Sequence, residues 1–98
     1  MTDVRIYNKG SIIPMVSFIE YIKRNTYEVH SNNHKLEHLV NRVNSLCNDE
    51  NEIDKNLSFI SILAGRISDE FLKEDNTNSS EIWGFISSES FNKWKSFG

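Results

Sequence analysis

Three histidines, His30, His34 and His38, recur every four residues, and a pair at that spacing on a helix can hold a transition metal with both rings on one side. Only Glu37 lies close enough along the chain to add a further ligand. His34 and His38 also fall opposite the apolar positions of their segment, in solvent, so no metal site is expected there. Cys47 is the single cysteine, and as a nucleophile it would need a stabilised thiolate. It instead ends an apolar stripe beside Leu46 and precedes acidic residues at the negative end of a helix dipole, the setting of a core thiol. The paired acids Asp49-Glu50 and Asp69-Glu70 sit in polar segments where nothing would tune a carboxylate for acid–base work. No serine lies in a nucleophile-elbow pattern and the four glycines form no phosphate loop. The expectation is a protein that is not an enzyme and carries no cofactor.

The elements that must position any site read mainly as helices. Asp3-Val4-Arg5-Ile6-Tyr7 alternates polar and apolar before the turn signal Asn8-Lys9-Gly10, a short strand or arm. Ser11 can cap a first helix over about 12–24, with Pro14 in its first turn and Ile12, Met15, Ile19 and Ile22 at spacings of three and four. Thr26 to Val29 is ambiguous between loop and strand. From Asn33, Leu36, Leu39, Val40, Val43, Leu46 and Cys47 form the apolar stripe of a second helix. Asn48-Asp49-Glu50-Asn51 can cap a third, whose first turn carries Glu52 and Asp54, the sign the helix dipole favours.

That third helix has the clearest pattern, because Ile53, Leu57, Ile60, Ala64, Ile67 and Phe71 alternate steps of four and three. Phe59, Ile62 and Leu63 add a second apolar face that is either buried or meets a partner. Ser58, Ser61, Gly65 and Ser68 form a small-residue stripe that would let another helix approach closely, or lie exposed. The stretch Leu57 to Leu63 alternates well enough to be a strand taken alone; its flanks favour helix. Lys73 to Ser80 reads as a polar loop. After it, Trp83, Ile86, Trp94 and Phe97 line one long helix, or Ser88-Glu89 starts a separate short one.

The 98 residues, 38% hydrophobic and 26% charged, hold too much apolar material for a disordered chain and fit one domain. The predicted class is all-α or mostly α: a bundle of four to five helices around helix 3. A domain of this size supports no large internal cavity, which puts function on the surface. Leu57 to Ala64, the longest nearly apolar run, is far short of the roughly 20 residues that cross a bilayer. With no secretory signal pattern and no cysteine pair, a cytoplasmic protein is expected.

Charge is unevenly spread. Residues 48–81 hold nine acids against three bases, net −6, whereas the segments before and after sum to +2 and +1. Helices 2 and 3 across a short turn suggest a helix-turn-helix, but the reading helix would begin with Asp49, Glu50, Glu52 and Asp54, which repel phosphates. Direct nucleic-acid binding is not expected. An acidic middle attracts a basic protein instead. Asp69, Glu70, Glu74 and Asp75, opposed within that stretch only by Lys73, are the predicted contact site, and Trp83 just beyond them is its aromatic anchor.

Small size, an acidic middle, an aromatic tail and no chemistry together make the chain resemble the small acidic immunity proteins that neutralise bacterial toxins, many of them nucleases with basic clefts. The resemblance spans the whole chain without a family motif, so it transfers no binding residue. It implies a non-catalytic inhibitor that covers the basic surface of a toxic nuclease. The alternative is a phage or host regulatory adaptor that binds and redirects a host enzyme, dimeric through the second apolar face of helix 3.

Overall fold

The computed structural model describes residues 14–97, of which the side chain of Phe97 is not described. The expected strand or arm over 3–7 and the Ser11 cap lie outside these residues. Four helices follow one another: α1 (Met15–Tyr27), α2 (His34–Cys47), α3 (Ile53–Lys73) and α4 (Thr77–Phe97), with one 3₁₀ turn at Glu50–Glu52. Among the described residues there is no strand, and Leu57 to Leu63 is helical.

Each boundary has a local cause. Pro14 is not inside the first turn as expected; its ψ of 147° is extended, and its carbonyl accepts the first helical bond from Phe18 N–H at 2.9 Å. α1 also runs three residues past Arg24, because Thr26 turns inward, 7% exposed, donating to the Lys23 carbonyl at 2.7 Å. Asn33 caps α2 through Oδ1, which accepts from Lys35 N–H at 3.0 Å and Leu36 N–H at 3.2 Å.

The expected polar loop 73–80 is only a three-residue turn, Glu74-Asp75-Asn76. Asp75 adopts φ 59°, the left-handed position usually given to glycine. This lets Asn76 N–H reach the Phe71 carbonyl at 2.9 Å and Asp75 N–H the Leu72 carbonyl at 3.0 Å, a Schellman closure. Asn76 then caps α4 by accepting from Ser79 N–H at 3.2 Å. The segment 77–80 is therefore the first turn of one 21-residue helix, and no second helix starts at Ser88.

α2 and α3 run antiparallel, since Lys35 near the start of α2 meets Glu70 near the end of α3 and Asn56 donates to the Leu46 carbonyl, and so do α3 and α4, where Ser61 meets Ser87 and Ser68 meets Ser80. α1 touches α2 through Thr26 and Asn44. The α3–α4 contact is the closest, because the small-residue stripe of α3 packs on a matching one in α4. Ser61 and Ser87 exchange hydroxyl-to-carbonyl bonds at 2.8 and 2.7 Å, and Ser68 donates to the Ser80 carbonyl at 2.7 Å. Between these pairs Gly65 and Gly84 present no side chain, which brings the backbones together.

The core draws on all four helices: Phe18 and Ile22, then Leu36, Val40, Val43 and Cys47, then Leu57, Ile60, Ala64, Ile67 and Phe71, then Trp83 and Ile86. Glu89 and Lys93, 3.5 Å apart and both buried, face α1, where the Lys93 ammonium lies 5.5 Å from the Phe18 ring centre. Among the described residues no helix is long and apolar enough to cross a membrane.

Candidate functional site

The four acids predicted as a contact site do stand together at the C-terminal end of α3, but half of them are occupied by the fold. Glu70 is 8% exposed and holds Lys35 and Lys73, each at 3.3 Å, and accepts from Asn33 Nδ2 at 3.3 Å. That bond from Asn33, helped by the two lysines, lowers the Glu70 pKa below its ordinary value against the opposing effect of desolvation. Glu74 also accepts from Asn33 Nδ2, at 3.0 Å. Asn33 therefore caps α2 with its oxygen and ties down the end of α3 with its nitrogen. Asp69 and Asp75 are exposed and have no such partners among the described residues. Lysines from two helices thus dilute the negative field at this end.

Trp83 is 2% exposed and belongs to the core. It lies under the α3–α4 turn beside Phe71, Asn76 and Ile82, and leaves no ring surface for a partner. The exposed tryptophan is Trp94, at 40%, with its ring 5.9 Å from that of Phe91, itself 45% exposed. Trp94 sits eleven residues, about three helical turns, beyond Trp83 on nearly the same face. The α3–α4 register explains their different fates. Pairing Ser61 with Ser87 and Ser68 with Ser80 puts Trp94 level with Asp54, in the first turn of α3, where the partner helix runs out.

This end of the hairpin carries the acids Asp49, Glu50, Glu52 and Asp54, all exposed. Their one counter-ion in the segment is Lys55, 3.3 Å from Glu52. The register puts the aromatic pair level with the acidic start of α3, at the opposite end of α3 from Trp83 and the acids Asp69 to Asp75. The signal for it lay in helix lengths: once α4 is a single helix folded back on α3, its last turns must pass the acidic start of α3.

The remaining groups with possible chemistry do not assemble. His30, His34 and His38 are all exposed, and among the described residues no three His, Cys, Asp or Glu side chains are placed to hold a metal. Cys47 is 1% exposed, and burial pushes its thiol up to about 12, against a smaller opposite effect of Lys23. It is protonated at any physiological pH.

The fold and this surface define a four-helix bundle with exposed aromatics level with an acidic segment at one end. The chain matches no protein family, no curated protein and no solved structure.

Proposed function

We propose that the protein is a non-catalytic binding module that captures a basic protein, and that it inhibits that partner in the manner of the small acidic immunity proteins it resembles. The observation that carries this reading is the exposed Phe91–Trp94 pair level with the acidic start of α3. Exposed large aromatics are the usual anchors of protein interfaces, because a desolvated ring contributes more than a rim charge. The acids supply the complement: they steer a basic surface to the patch and align it, which raises the association rate more than the final affinity. Trp94 is the anchor, with Phe91 as its support and Asp49, Glu50 and Asp54 as the steering charges.

The test is co-expression with the product of the adjacent open reading frame, read as cell growth and as co-purification. The proposal expects a basic, toxic product whose toxicity this chain relieves, with relief lost in Trp94→Ala. A harmless or acidic product, or relief that survives Trp94→Ala, contradicts it.

A further inference from the structure

The outward face of α3, away from both the core and the α4 seam, carries a second regular pattern. Lys55, Phe59, Ile62, Arg66, Asp69 and Lys73 follow one another at steps of four and three, the spacing of a helix–helix seam. Phe59 is 55% and Ile62 57% exposed, although the centre of such a seam is where side chains are normally covered. Arg66 and Asp69, a helical turn apart, have no hydrogen bond or ion pair among the described residues.

The order of charges along this face is self-complementary in one arrangement. Two copies of α3 packed antiparallel about a two-fold axis at Ile62 set Ile62 against its own copy once and, twice each, Phe59 against Arg66 and Lys55 against Asp69. The guanidinium of Arg66 then stacks on the Phe59 ring, a favourable cation–π pairing. Neighbouring registers fail. Sliding one step sets Lys55 against Lys73 and Phe59 against Asp69; sliding the other way sets Lys55 against Arg66. Parallel packing sets every charge against itself. Like charges across an interface are strongly disfavoured, so the pattern selects a single register.

We infer that the protein forms a two-fold homodimer through the outer face of α3, antiparallel and centred on Ile62. The interface leaves Trp94 and Phe91 outside it, so it does not depend on the reading of that patch.

Sedimentation equilibrium of the full chain tests the inference. Wild type should show concentration-dependent dimerisation. Lys55→Glu alone and Asp69→Lys alone should each weaken it by roughly tenfold or more, because each creates two like-charge pairs. The two changes combined in one chain should restore it. Ile62→Cys places two thiols at the axis and should cross-link to a covalent dimer under mild oxidation, whereas Phe85→Cys, on α4, should not. All these side chains are exposed, so circular dichroism should show the fold unchanged. A wild-type chain that stays monomeric up to about 1 mM, where only very weak contacts go undetected, overturns the inference. Single reversals without effect, or a combined variant no better than either, overturn it equally.

Discussion

Asn33 serves two helices with one amide, and its loss should be felt in both. Asn33→Ala removes the α2 cap and leaves Glu70 with only its lysines, so a loss of about 1–2 kcal/mol is expected from thermal or urea melts. Glu70 makes this corner pH-dependent. Its folded pKa lies below the ordinary value of 4.5, so the stabilisation is complete above that value and is lost as pH falls through the lower, folded one. The melting temperature of wild type should therefore drop more steeply on acidification below about 4.5 than that of Glu70→Gln; parallel curves would remove Glu70 from the network. Ser90 works the other way. Its hydroxyl is fully buried with no hydrogen-bond partner among the described residues, so Ser90→Ala should stabilise the protein by about 1 kcal/mol in the same melts. None of this was legible in the sequence. Spacing shows that Glu70 lies near a helix end, but not that an asparagine 37 residues earlier would reach it and turn a surface acid into a structural one.

Helices were legible where a stripe was unbroken and a cap residue stood at its edge, as for α2 after Asn33 and for the length of α3. The segment 73–80 was not, because its Asp, Asn, Thr and Ser residues favour turns and caps as readily as helix. What decides is tertiary: Ser80, Gly84 and Ser87 have Ser68, Gly65 and Ser61 to pack on, and hydroxyls turned into that seam find partners. Substitutions at two positions separate these effects. A Cβ at Gly84 would meet Ser68 Oγ at 3.6 Å, ordinary contact, so Gly84→Ala should gain about 0.5–1 kcal/mol of helix propensity. Asp75→Gly should gain a similar amount by relieving its left-handed backbone, whereas Asp75→Ala should not. Destabilisation by Gly84→Ala would mean that the two helices pack more tightly than the seam described.

The whole molecule rests on α3, whose inner face, α4 seam and contacts to α2 bury most of its circumference. Ile60→Ala and Ile67→Ala, both at fully buried positions, should each cost about 2–4 kcal/mol. At this scale the sequence defines the bundle, since its apolar periods dominate packing. It defines the contact surface less well, because the exposure of a tryptophan depends on where the neighbouring helix stops. Trp83 and Trp94 share nearly one face of α4, yet the first is covered by the α3–α4 turn and the second passes the end of α3. The most direct measurement is calorimetric titration of wild type and Trp94→Ala against the purified product of the adjacent reading frame, at low and at physiological salt. The account predicts that Trp94→Ala melts like wild type but binds roughly 30-fold more weakly, and that binding by both falls as salt rises. Equal affinities for the two proteins, or no binding by wild type, would contradict it.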